Sequence, residues 1–224
     1  MDNSKLSTTQ LNSIQVNSTQ LNSTQLHTTM VKVAIIYHSQ DGHTEAVAKS
    51  VHEGASSVQG VEAKLFTVDE VSTSEALHDL SDNYTALIFG TPTLFGSPSA
   101  DFKKWEELTG GISHTHGWAN KLASGFTVSA SKSGSKVNTL IDLTIFAAQH
   151  GMVWVPLNLS PGNNLSTTDD NVLNANSFFL GVGSQAPADK DASGLNPAEL
   201  ETGKFLGTRV AKLAKVYAPI ANEF

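Results

Sequence analysis

The chain has 224 residues, 39% of them hydrophobic, with 14 Lys and Arg against 21 Asp and Glu and a formal net charge of -7. That length suits one domain with an appendage, and no run approaches the roughly 18 apolar residues of a membrane span. The acidic balance excludes a phosphate-backbone binder, so neither membrane nor nucleic acid is an expected partner. There is no cysteine, which removes disulfides, thiolate metal sites and Cys nucleophiles together.

Residues 1–29 stand apart. An apolar residue recurs every fifth position, at Leu6, Leu11, Val16, Leu21 and Leu26. A period of five fits neither strand nor helix, and five pentads are too few for a repeat fold. This segment is expected to be a disordered, low-complexity tail. Its apolar positions are isolated and its start is not basic, so it does not read as a secretory signal, and the protein is expected in the cytoplasm.

The working domain is 30–224. Val31–Tyr37 is a β-branched run, the pattern of a buried strand. His43–Ser57 carries Ala46, Val47, Ser50, Val51 and Gly54 at helical spacing. Val61–Val68 alternates, as an edge strand does, and Ser74–Leu80 is a short helix. Tyr84–Phe89 is a third strand. Ser99–Thr109 is an amphipathic helix closed by Gly110-Gly111, with Lys103, Lys104, Glu106 and Glu107 as its solvated face. Leu122–Val128 is a fourth strand, followed by a helix over Lys136–His150 whose apolar face holds Ile141, Leu143, Phe146 and Ala147. Met152–Leu157 is a fifth strand. The stretch Pro161–Leu195 lacks regular pattern, and Pro197–Tyr217 is the last helix, with Pro in its first turn. Strands and helices alternate five times. This predicts a doubly wound α/β fold, five parallel strands in the order 2-1-3-4-5 with helices on both faces. Ligands in such sheets bind beyond the carboxyl ends of the strands.

Three strand-exit segments therefore draw attention. Ser39, Gln40, Asp41, Gly42, His43 and Thr44 connect a buried strand to a helix, where free N–H groups and the helix dipole favour an anion. The loop lacks the Lys of a triphosphate loop and the G-x-G-x-x-G of a dinucleotide fold, so a monophosphate suits it better. The same pattern also describes a plain strand–turn–helix corner with Ser39 and Thr44 as caps. Gly90–Gly96 (GTPTLFG) is rigidified by Pro92 and offers backbone N–H groups from Thr93, Leu94 and Phe95 to a planar heterocycle. The third segment is Ser129, Ala130, Ser131, Lys132, Ser133, Gly134 and Ser135.

These segments, with Thr109-Gly110-Gly111, Lys121–Ser124 and His150-Gly151-Met152, occur in an order and spacing that resembles the flavodoxin-like NAD(P)H:quinone oxidoreductases of the tryptophan-repressor-binding-protein type. The resemblance runs from about Val31 to Tyr217. It implies FMN as cofactor, with Ser39–Thr44 around the phosphate, Thr93, Leu94 and Phe95 along the isoalloxazine, Ser129–Gly134 on its other edge and His150 near the pyrimidine end. It further implies NAD(P)H as co-substrate, a quinone-like acceptor, and a homodimer or homotetramer with sites completed by a neighbour. His150 is then the candidate for stabilising charge near N1–C2 of the reduced flavin. The chain departs from that family at Leu94, where Arg is common, at Asp41, often Tyr, and near Ser113, usually aromatic. The rival reading is a flavodoxin-type electron carrier or a regulatory flavin binder without efficient NAD(P)H turnover.

Other signals weigh less. Gly181–Ala186 nominally matches G-x-G-x-x-A but opens no helix in a βαβ unit, so it reads as loop. His114 and His116 have no nearby carboxylates, and no metal site is expected. Trp105, Trp118 and Trp154 read as packing.

Overall fold

The computed structural model describes residues 30–223; the tail expected at 1–29 lies outside them. Strand β1 (Val31–Tyr37) leads into helix α1 (His43–Ser56), then β2 (Val61–Thr67) and α2 (Ser74–Asn83). Next come β3 (Ala86–Leu94), the short β4 (Ser97–Pro98), α3 (Ala100–Leu108) and α4 (Gly110–His114). After β5 (Leu122–Ser129), α5 (Lys136–Gln149), β6 (Val153–Trp154) and β7 (Val182–Gln185), helix α6 (Pro197–Tyr217) closes the fold.

The parallel order is β2-β1-β3-β5-β6, with β7 also on β5 and β4 folded back antiparallel on β3. This is the predicted doubly wound sheet. Alternation along β1 sends Val33, Ile35 and Tyr37 to the face covered by α1 and α6, and Ala34 and Ile36 to the face covered by α2, α3 and α5. β2 pairs only with β1, which explains its half-exposed pattern. Trp105 and Trp118 are fully enclosed in the second face, in contact with Phe89 and Phe146. Asn196 caps α6 by accepting from the Ala198 N–H, with Pro197 directly behind it.

Four expectations are corrected. The fifth strand does not span Met152–Leu157. β6 pairs with Leu122 and Ala123, Val155 N–H still reaches Ala123 O at 2.7 Å, and then Pro156, which has no N–H, ends the ladder. The fifth place in the sheet is completed by β7, inside the segment read as loop. Val182–Gln185 pairs in register with Phe126–Ser129. Trp154 Nε1–H donates to Leu180 O at 2.9 Å and Leu157 N–H to Phe179 O at 3.0 Å, tying the excursion back to the edge it left. Gly110-Gly111 does not close a helix but begins α4, whose Ile112 is buried. The assignments within two helix faces also change. Ile141 is exposed, and Glu106, read as solvated, is 7% exposed because α3 turns it under α5.

Candidate functional site

A cleft of about 220 Å³ opens beyond the carboxyl ends of β1, β3 and β5, lined by Ser39, Gln40, Asp41, His43 and Thr44, by Pro92–Leu94, by Val128–Ala130 and by Ala186 and Ala188. It lies where the strand order reverses between β1 and β3, the place this topology reserves for ligands.

The floor is the start of α1. Its N-cap is Gly42, at φ 82°, a left-handed conformation that favours glycine. No side chain caps this helix end, so the alternative with Ser39 and Thr44 as caps is not what is seen. Ser39 Oγ is buried without a hydrogen-bond partner, and Thr44 is 2% exposed in the same wall. An uncapped helix N-terminus and an orphaned hydroxyl in one concavity fit a small anion. No Lys or Arg lines the cleft, and Asp41, the only carboxylate in the lining, is exposed.

The walls are held by named contacts. The His43 ring meets Lys190 O at 2.8 Å, so that side chain tethers the segment after β7. Ala186 N–H donates to Ser129 O at 3.1 Å, and Gln185 Nε2 to Ala130 O at 3.0 Å. Thr93 Oγ1 turns inward to Thr127 Oγ1 at 2.7 Å and Thr139 Oγ1 at 2.8 Å, a buried hydroxyl cluster beneath the cleft. Leu94 is 40% exposed at the rim, and Phe95, at φ 50°, projects fully into solvent at the β3–β4 turn.

Within the third segment only Ser129 and Ala130 line the cleft. Lys132 is committed to Asp170 at 2.6 Å. Ser131, Ser133 and Gly134 curl around the start of α5, over the buried ammonium of Lys136. Sequence reasoning missed Lys136, Ala186 and Ala188. Lys136 did leave a signal, a cation in the first turn of a helix, where the dipole disfavours it.

His150 is not brought to this cleft within one chain. Helix α5 begins beside the cleft and runs 14 residues, about 21 Å, away from it. His150 ends up 3% exposed between Trp118 and Phe146, with ring centroids 4.5 and 4.8 Å away. Thr109 Oγ1 donates to Glu106 O, so His150 Nε2–H donates to Thr109 Oγ1 at 2.9 Å. Burial lowers the His150 pKa to about 4, which keeps the ring neutral near pH 7. His150 lines a separate depression with Glu106, Thr109, Phe146 and Gln149.

Beside it, burial raises the Glu106 pKa from 4.5 to about 7, although Lys103 pulls it down. A raised carboxyl contributes stability that is full below its unfolded pKa and is lost as pH rises through 7. His150 has the opposite sign, its contribution full above 6.5 and lost as pH falls through 4. Glu106→Gln should therefore raise stability at about pH 8 by up to roughly 3 kcal/mol. Its melting temperature should fall on acidification to about pH 5, where the wild type stays flat. Identical melting curves across that range would refute this account of the pair.

The sequence matches the Flavodoxin family over residues 35–142. It is 36% identical over 187 residues to "Flavodoxin FldP" of Pseudomonas aeruginosa (strain UCBPP-PA14), covering 83% of this chain and 98% of that protein. It is 31% identical over 177 residues to "Quinone-oxidoreductase QR2" of Triphysaria versicolor, covering 70% of this chain and 86% of that one. Among solved structures it resembles a flavodoxin, WrbA-like protein from Agrobacterium tumefaciens, with a TM-score of 0.63 and 30% identity over 84% of this chain and 99% of the other. No helix among the described residues is long and apolar enough to cross a membrane.

Proposed function

The chain belongs to the flavodoxin-like family of the tryptophan-repressor-binding-protein type, and on that premise we propose that it is an FMN-dependent oxidoreductase passing two electrons from NAD(P)H to a quinone-like acceptor. The observation that carries the reading is the uncapped α1 N-terminus with the unpartnered Ser39 hydroxyl at the strand-order switch. Ser39, Thr44 and the first N–H groups of α1 would hold the phosphate, and Leu94, Ser129 and Ala130 would stand along the ring. Bound FMN would supply the electron transfer between donor and acceptor. The chain's own part is to bind the phosphate without a cation, orient the ring and shield one side of it from water.

A flavodoxin-type carrier or regulatory flavin binder is the second reading, favoured by the 36% identical relative's name and by the departures at Leu94, Asp41 and near Ser113 from residues that the resemblance ties to donor or acceptor. An anaerobic titration separates the two. FMN bound to the purified protein should bleach rapidly on adding NADH or NADPH and recolour with a benzoquinone. Binding without bleaching would leave the carrier.

We further propose at least a dimer, acting in the cytoplasm. A cleft of about 220 Å³ is smaller than the roughly 300–1,000 Å³ of sites that enclose a ligand. Leu94 at its rim and the neighbouring Phe95 are exposed. A second copy would supply the missing wall, and a His150 that reaches a flavin would come from that copy. Light scattering should give a mass of two or four chains; a single-chain mass independent of concentration would reject this.

A further inference from the structure

Lys136 is 0% exposed, yet it carries an ammonium. Nζ donates to Ser131 O at 2.7 Å, Lys132 O at 2.9 Å and Ser129 Oγ at 3.1 Å. All three acceptors belong to the segment that forms the cleft's third wall. In a trans peptide the N–H points opposite to the C=O, so the N–H groups of Lys132 and Ser133 are turned away from the ammonium. Neither donates to another described residue.

The surroundings offset this charge only in part. Glu199 on α6 acts on it through space, but burial raises the Glu199 pKa, and its carboxylate is engaged by Asn176 Nδ2 at 2.5 Å and the Gln185 N–H at 3.4 Å, not by Nζ. Lys132 and Asp170 neutralise each other outside. On the inner side lies the Phe178 ring, 5.6 Å from Nζ. The site is the N-terminus of α5, whose dipole is itself positive. A desolvated cation, a positive helix end and two N–H groups without a partner among the described residues therefore lie together behind Ser129 and Ala130, the part of this segment that lines the cleft. Burial lowers the Lys136 pKa only to about 8, so the ammonium stays charged near neutral pH.

We propose that Lys136 is the positioning residue of the ring site: it folds the Ser129–Gly134 segment so that its N–H groups face outward, and its buried charge favours the negative charge that reduction places on a bound flavin. This is the role the sequence had suggested for His150, and it rests on the FMN reading above. Lys136 need not touch the flavin, since it acts through the peptides it holds.

The test compares wild type, Lys136→Met, Lys136→Arg and Glu199→Gln, each loaded with FMN. The two-electron midpoint potential is measured beside the apoprotein melting temperature. Lys136→Met should bind reduced FMN about tenfold more weakly relative to oxidised FMN, a shift of about 30 mV to more negative potential. Lys136→Arg should stay near wild type, and Glu199→Gln should shift the other way. If Lys136→Met binds FMN at an unchanged potential, the proposal is wrong while the FMN reading stands. A wild type that takes up no FMN overturns both. Should Lys136→Met fail to fold, Glu199→Gln decides alone, and an unchanged potential there rejects the proposal.

Discussion

Replacing Gly207 by alanine is expected to destabilise the protein by about 3 kcal/mol or more, a large fraction of a domain's net stability. Helices α1 and α6 cross in backbone contact. A Cβ at Gly207 would lie 1.9 Å from Val51 O and 2.8 Å from its carbon, and one at Gly54 would lie 1.9 Å from Lys204 O. Those neighbours are main chain and cannot rotate aside. The crossing is further tied by Thr208 Oγ1 to Gly54 O at 3.0 Å and by the Ser50 hydroxyl to Leu200 O. Relief requires one helix to move off the sheet, uncovering Val47, Val51, Leu206 and Val210. Gly203→Ala is the control. Its Cβ would meet Val47 Cγ1 at 3.4 Å and Val51 Cγ2 at 3.5 Å, ordinary contact, so the change should be neutral or stabilising by up to about 1 kcal/mol through helix propensity. Chemical denaturation of the three variants reads this directly. Gly54→Ala and Gly207→Ala variants as stable as Gly203→Ala would show that the helices are less closely packed than described.

The second large effect concerns the anion site. Thr44→Ala is expected to weaken FMN binding by about ten- to a hundredfold and to leave riboflavin, which lacks the phosphate, almost unchanged. A hydrogen bond to a charged group is worth roughly 1.5–3 kcal/mol, and about 1.4 kcal/mol is a decade of affinity. No cationic side chain lines the cleft to compensate. Ser39→Ala should behave alike, since its hydroxyl has no protein partner to lose. Gly42→Val should be worse, for a backbone reason. Space is open there, with Ala192 Cβ at 4.0 Å, but φ of 82° strains a β-branched residue and would swing the first N–H groups of α1 out of line. Equal losses for FMN and riboflavin in Thr44→Ala would make the loop structural and move the phosphate elsewhere.

Where local pattern and final environment agree, the sequence was enough. The runs Val31–Tyr37 and Leu122–Val128 are buried on both faces, so their continuous apolar character follows from the parallel sheet they occupy. Helix α6 was legible to the residue because Asn196-Pro197 marks its start chemically. Ser39–Thr44 could be singled out because a polar, glycine-containing turn between a buried strand and a helix has few structural uses. Strand β7 was not legible. Val182–Gln185 holds one apolar residue in four, and it is a strand only because Pro156 strips β6 from the edge of β5 and leaves that edge free. Gly54 and Gly207 scan as ordinary helix positions, since no periodicity reports that a second backbone lies against them.

Composition and spacing along this chain determined the alternation of elements, the doubly wound order and the loops at the strand ends, because each depends on hydrophobic period and turn chemistry within a few residues. The tertiary structure decided the rest. It carried His150 to the far end of α5, a helix about 21 Å long, buried Glu106, and placed Lys136 beneath the third wall. Burial, charge state and which groups meet are set by contacts between residues far apart in the chain, and these exist only once the layers have packed.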